Sequence, residues 1–346
     1  MTERATYPAL VELTLARVRL FFREPSAMFW TFGFPVILAI ALGIAFRNKP
    51  PDPVRVAVEQ SPAGWQLREA LQGPTIDVIY VDPEAARVAL RSGKVALVVV
   101  PGPPRTYRYD ETRPESRTAR LLVDDRLQRA DGRLDPTAVV DERVAEPGAR
   151  YIDFLVPGLV GLTLMSGSMW GIGYLIVEMR TKKLVKRMLA TPMRRSDFLL
   201  SFVVMRALFV VLEVPVLFGF GWIAFGVRVT GSPWLVLGVS ILGALSFAGL
   251  GLLVASRAQN TQTVGGLMNL VMMPMFVGSG VFFSASKFPD ALQPFVRALP
   301  LTALNDALRA VVNEGAGLAE IARPVALLAG IGVVSFGLAL WLFRWK

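Results

Sequence analysis

Two stretches hold residues whose chemistry stands out from their surroundings. The first is VVLEVPVLF (210–218), which sets Glu213 inside an apolar run. Arg206 lies seven residues earlier, two helical turns away on the same face. An ionisable group buried in such a run is costly, which points to a role in transport. The alternative is a structural contact: an ion pair reached by two stretched side chains, or a protonated carboxyl bonded to another helix. Asn269 is a third polar residue in an apolar run, LMNLVMMPMF (267–276). The second stretch is TKKLVKRMLATPMRR (181–195), with six Lys or Arg and no acid. Leu184, Val185, Met188 and Leu189 recur at helical spacing between Lys182, Lys183, Lys186 and Arg187. Thr191 precedes Pro192, which disfavours helix at 191 and ends the element. A basic run with an apolar stripe could lie on a membrane, grip nucleic acid, or dock into a protein groove.

Catalytic chemistry has little to work with. The chain has no histidine and no cysteine. That removes Cys/His zinc sites, Ser-His-Asp and Cys-His arrangements, and histidine acid/base work. No GxxxxGK[ST] loop is present; the only Gly-Lys pair, Gly93-Lys94, is followed by Val95. ATP is therefore not expected on this chain by that route. HExxH and GxSxG are absent too. Asp124-Asp125 reads as a solvated helix face.

The elements that must position these residues are membrane helices. The 346 residues are 53% hydrophobic, with a mean hydropathy of +0.49, more than a soluble chain requires. Six apolar runs lie near 27–46, 154–177, 199–225, 233–255, 264–283 and 325–343. Each is close to the roughly 20 residues that cross a hydrocarbon core. Pro35, Pro157, Pro215 and Pro274 interrupt some of them, as membrane helices tolerate. Trp30, Trp234, Trp341 and Trp345 sit near run ends, where indoles favour the interface. Gly167 and Gly171 have a spacing that suits close helix packing. Residues 8–23 form an amphipathic helix, with Leu10, Leu13, Val18 and Phe21/Phe22 toward lipid and the arginines toward headgroups. The first run follows a tail with Arg4, Arg17, Arg19 and Arg23 and reads as an uncleaved anchor.

Charge sets an orientation. The segment Arg180–Arg195 holds seven Lys/Arg, whereas the short loop 226–232 holds only Arg228. Positive charge favours the cytoplasm, so both termini and 181–195 are expected there. Residues 47–153 then fall outside, in the extracytoplasmic space of a bacterial inner membrane. They carry 17 basic and 17 acidic residues, so the chain's net +10 belongs entirely to the rest. A nucleic-acid domain would concentrate that excess, so no nucleic-acid partner is expected. VRVAVEQ (54–60), IDVIYV (76–81) and VALVVVP (95–101) read as strands, separated by helical segments at 65–73 and 83–93. This order favours a partly parallel α/β sheet. A further helix is expected near 114–130, then a linker over 131–150.

The fold class expected is thus a polytopic α-helical membrane protein of six transmembrane helices. An extracytoplasmic α/β domain is inserted between the first and second. The boundaries are a tail at 1–26, a first helix at 27–46, the domain at 47–153 and a five-helix region at 154–346.

Three blocks carry a resemblance to a family. They are RLFFREPSAMFWTFGFPVIL (19–38), YIDFLVPGLVGLTLMSGSMWGIGYLIVEMRTKKLVKRMLATPMRRSDFLLS (151–201) and FPDALQPFVRALPLTALNDALRAVVNEG (288–315). In order and spacing the chain resembles a permease of the type-2 class of ATP-binding-cassette exporters, over most of its length. Many relatives carry Gly-Thr in the turn after the second helix; here 178–183 is EMRTKK, with Thr181 and no Gly before it. The resemblance implies a separate ATPase subunit binding ATP and Mg, and a second permease, identical or related. It implies a coupling helix at about 181–191, with Glu178 and Arg180 at its entrance, pairing with each other or with the ATPase. Leu184, Val185, Met188 and Leu189 would then seat in a groove on the ATPase, ending at Thr191-Pro192. It further implies a path lined by the second and fifth helices, near Met165, Met169, Trp170, Asn269, Met272, Met273 and Phe276. A re-entrant segment at about 284–312, with Arg309, would cap the exit, its Leu292, Phe295, Leu304 and Leu308 on short helices dipping into the outer leaflet. The cargo expected is amphipathic or hydrophobic: a drug, as in multidrug resistance, a lipid, or a natural product. Polysaccharide export uses similar architecture. An ATP-independent receptor or sensor, binding ligand through 47–153, is the alternative from another class.

Overall fold

A computed structural model describes residues 9–45, 53–134, 137, 150–190, 195–285 and 288–342. The chain divides into two compact units, one of residues 1–47 with 145–346 and one of residues 48–144. Thr191, Pro192, Trp345 and most of the expected linker at 131–150 lie outside the described residues, as do the side chains of Met188 and Leu189.

The first unit begins with α1 (Ala9–Arg23), then α2 (Pro25–Met28), a π turn at Phe29–Gly33, and α3 (Phe34–Ala45). The last three form one continuous apolar helix, Pro25–Ala45. Here α1 differs from its expected role as a headgroup-facing helix. Arg19 and Arg23 are exposed, but Arg17 is buried against α10, the long helix Arg195–Phe225. Its Nε donates to Ser201 Oγ at 3.1 Å, and its guanidinium lies 3.3 Å from the Phe202 ring centre. Burial lowers its pKa to about 10. Thr14 is buried too, and Phe21 meets Phe209 at 4.3 Å, so much of this face covers protein rather than lipid.

The second unit is a four-stranded sheet in the order β2-β1-β3-β4. Its strands are β1 (Val54–Glu59), β2 (Ile76–Val81), β3 (Leu97–Val100) and β4 (Thr106–Tyr109). Strand β1 pairs parallel with β2 and β3, as the alternating pattern predicts. Strand β4 pairs antiparallel with β3; it was not expected, because TYRY is four residues long and follows a Pro-rich loop. Helices α4 (Pro62–Leu71) and α5 (Pro83–Arg91) start where Ser61 and Asp82 accept from the Gly64 and Ala85 amides, with Pro at the first helical position. Val56, Val58, Leu97 and Val99 face α4 and α6 (Pro114–Ala130), while Ala57 and Val98 face α5. Asp125 pairs with Arg129 and Arg133, and Asp124 accepts from Tyr107 Oη, so this acidic pair is spent on its own helix and sheet.

The first unit resumes with α7 (Tyr151–Ser168), a π segment at Met169–Tyr174, α8 (Leu175–Thr181) and α9 (Leu184–Leu189). It continues through α10, α11 (Pro233–Arg257), α12 (Thr261–Gly278), α13 (Gln293–Ala298), α14 (Pro300–Glu314) and α15 (Ala322–Leu342). Five helices are long and apolar enough to span: Pro25–Ala45, Tyr151–Thr181, Leu200–Phe225, Pro233–Arg257 and Ala322–Leu342. The expected fifth span, 264–283, differs. Its helix, α12, has 18 residues. At about 1.5 Å each that is near 27 Å, short of a typical core of about 30 Å. It stops because Ser279 caps it and Gly280 turns with φ 68°. Trp30, Trp234 and Trp341 are exposed, as interface anchors would be.

The expected re-entrant segment is more deeply buried than a leaflet-dipping loop. Ten residues of α14 are buried, Leu304 and Leu308 completely, and the helix packs on α7, α11 and α15. Leu292 and Phe295 remain exposed. The reason is the strong one-sidedness of PLTALNDALRAVVNE, whose apolar face is broad enough to join the core.

Candidate functional site

Glu213 and Arg206 do meet. Both lie on α10 and are almost fully buried, 1% and 3% exposed. Arg206 Nη1 donates to Glu213 Oε1 at 2.7 Å. Two turns separate them, and both side chains extend along the helix to close that gap. The guanidinium also crosses to α7: Nε donates to Ser168 Oγ at 2.8 Å and Nη2 to the Leu164 carbonyl at 3.3 Å. Gly167 makes this possible, since a Cβ there would lie 3.0 Å from both Nη atoms. So Gly167 serves an arginine rather than a helix–helix seam. Gly171 has nothing within 4 Å of its Cβ position. The close backbone approach is instead at Gly173, whose added Cβ would come within 2.5 Å of the Gly251 carbonyl on α11.

The expected path residues divide. Met165 and Met169 are fully buried inside the unit and face no open space. They pack in the core because their side of α7 is covered by α10, α11 and α14. Trp170 and Met272 are half-buried. Asn269, Met273 and Phe276 are exposed. Asn269 and Met273 share one face of α12 with Gly266, Leu270, Pro274 and Val277, along a hollow of about 540 Å³. The sequence could not make this division, because a methionine in an apolar helix reads alike inside and outside.

The basic stretch forms a tight turn. Thr181 ends α8, and Lys183 adopts φ 57° before α9 begins. Glu178 and Arg180 do not pair with each other. Lys182 Nζ donates to Glu178 Oε1 at 2.7 Å, which raises the lysine pKa. Arg180 Nη1 donates to the Ala258 carbonyl at 3.2 Å, a cation at the C-terminus of α11. The apolar stripe splits. Leu184 is 37% exposed, but Val185 is 4% exposed and packs with Met179, Phe198 and Phe202. Val185 is therefore not part of an exposed docking face. Adjacent helical positions point about 100° apart, so one of the two must turn inward.

A further set of polar residues was not singled out by type and spacing. Arg150 pairs with Asp153 at 2.8 Å and donates to the Phe225 carbonyl at 3.0 Å. Asn313 Nδ2 donates to the Asp153 carbonyl at 3.1 Å, and Tyr151 Oη to the Phe282 carbonyl at 2.9 Å. Arg309 Nε donates to the Phe154 carbonyl at 3.2 Å and Nη2 to the Gly280 carbonyl, with its guanidinium 3.5 Å from the Phe154 ring centre. Asn305 Nδ2 donates to the Ser279 carbonyl at 3.0 Å. These bonds fasten the start of α7 to α14 and to the loop after α12. Only Asn305, a buried amide in an otherwise apolar helical face, carried a local signal.

Comparison with known proteins agrees with this architecture. Residues 25–341 match the family described as ABC-2 family transporter protein, and the chain belongs to it. It is 27% identical over 165 residues to the "Putative transport permease YvfS" of Bacillus subtilis (strain 168), covering 47% of this chain and 66% of that protein. It is 28% identical over 202 residues to "Nodulation protein J" of Rhizobium meliloti (strain 1021), 57% of this chain and 75% of that one. A 25% identical match over 194 residues to "ABC transporter G family member 20" of Dictyostelium discoideum covers 55% of this chain and 26% of that protein. The chain is thus a multi-pass membrane protein, the permease component of an ABC transporter. Permeases of this family work with an ATP-binding-cassette ATPase.

Proposed function

We propose that this permease exports an amphipathic or hydrophobic cargo, such as a drug, lipid or natural product, by alternating access. A separate ATPase subunit, carrying ATP and Mg, drives it, and two permeases form the pore. In this reading α12 is the sixth span, both termini and the Lys182–Lys186 turn face the cytoplasm of a bacterial inner membrane, and the sheet domain lies outside. The exposed face of α12, with Asn269, Met273 and Phe276, lines the path. Its largely apolar chemistry suits an apolar cargo, with one amide to bond a polar group.

The observation that carries the reading is the α8–α9 turn. Leu184 is exposed beside Lys183, Lys186 and Arg187, at the end of the helical rod that starts at Tyr151. An apolar knob ringed by cations on a short helix suits a groove on an acidic-rimmed partner. The test is co-purification with candidate ATPases before and after Leu184→Glu, together with ATP-dependent uptake into inverted vesicles. Loss of assembly with intact permease folding supports docking through this turn. Unchanged assembly and unchanged uptake would overturn it.

A further inference from the structure

The rod from α7 through α8 is held unevenly along its length. Its α7 part is bonded to neighbours at five places: Arg150 to Phe225, Asn313 to Asp153, Tyr151 to Phe282, Arg309 to Phe154, and Arg206 to Leu164 with Ser168. The last lies at the residue that leads into the π segment, for which Ser168 is the N-cap. Beyond it the character changes. Among the described residues, no side-chain hydrogen bond joins Met169–Met179 to another helix. The π segment rests on α11 and α12 through Gly173, against the Gly251 carbonyl and the Met268 methyl. Contacts of this kind have no preferred bonding register, so they permit rotation and sliding. A π turn is a wound-in extra residue and marks a place where a helix can change pitch or direction.

We propose that Met169–Tyr174 is a hinge, that α8 and α9 turn about it as one arm, and that Arg206, held by Glu213, is the positioning residue that fixes its α7 edge. Glu213 keeps the guanidinium extended along α10. The guanidinium in turn grips the Leu164 carbonyl and the Ser168 hydroxyl, the last polar anchor before the bonds give out. A lysine at 206 would retain the charge facing Glu213 but could not span all three acceptors. The inference builds on a permease with a moving coupling arm, yet it depends on neither the cargo nor the direction of transport.

The chain has no native cysteine, so spin labels can be placed cleanly. One labelled pair, Lys186→Cys with Arg257→Cys, reports the arm against the end of α11. A second, Arg228→Cys with Glu314→Cys, reports a region away from the hinge. Both are read by pulsed electron paramagnetic resonance on the full chain in nanodiscs, without ATPase or cargo. In the Arg206→Lys background the first distance distribution is expected to widen about twofold or more, as a second arm position becomes populated, while the second is unchanged. Glu213→Gln should widen the first distribution less, because an amide still accepts from Arg206. A role in packing alone leaves both distributions as in the parent chain, and that result overturns the proposal. Equal widening of both pairs also overturns it, since it means general loosening. If Arg206→Lys does not purify as a monodisperse species, Glu213→Gln decides by the same two criteria. Because no ATPase is present, failure of the export reading would not alter either outcome.

Discussion

Arg206 and Arg309 both carry a guanidinium into the helical unit, and they are held by different means. Arg206 faces a carboxylate on its own helix and reaches one neighbour. Arg309 has no ion pair among the described residues; it is held by the Phe154 and Gly280 carbonyls and by the Phe154 ring, from two separate parts of the chain. The first arrangement places opposite charges in the interior, where each depends on the other. The second disperses one charge over carbonyl dipoles and an aromatic face. Removing a member of the first strands a buried ion, and removing the second strands only neutral acceptors.

That contrast can be broken by mutation. Arg206→Met should cost about 3–5 kcal/mol, because Glu213 is left buried and unpaired. The double change with Glu213→Leu should recover most of that loss; a double-mutant cycle from unfolding in micelles measures it. Arg309→Met should cost less, about 1.5–3 kcal/mol, for lost charge-assisted bonds. If Arg309→Met proves the more damaging, the distinction between stranded ions and stranded carbonyls fails here.

The turn end offers a finer comparison, between neighbours. Val185→Asp should destabilise by about 1–3 kcal/mol, since a buried apolar contact receives an unpartnered polar group. Leu184→Glu should leave stability within about 0.5 kcal/mol and act only on ATPase assembly. Thermal unfolding beside co-purification separates the two. The smallest effect expected is at Lys183. Its φ of 57° suits glycine, so Lys183→Gly should stabilise the turn by up to about 1 kcal/mol. Lowered thermal stability in that variant would show that the lysine side chain contributes more than its backbone costs. The Gly that many resembling permeases carry near this turn is absent from the sequence, and here a lysine takes up the left-handed residue it contains.

What could be read beforehand follows from how local its cause is. Membrane spans announce themselves because about 20 apolar residues in a row have few other uses. The parallel core of the sheet domain was legible in strand-helix alternation, while β4 was hidden by its length. Arg206 and Glu213 were legible as a pair because a helix fixes the spacing of residues seven apart. Asp153 and Asn313, 160 residues apart, were not.

The sequence by itself determined the class of this protein: its helices, its lack of catalytic groups, its basic turn, and the costly charges at 206 and 213. Each of these depends on composition or on periodicity within one element. Only the tertiary structure decided which methionines are core and which face outward, that Val185 turns in while Leu184 turns out, and that α14 is buried. It also decided that Gly167 makes room for an arginine. The physical reason is that a helix face has no inside or outside until its neighbours cover it, and those neighbours come from distant parts of the chain.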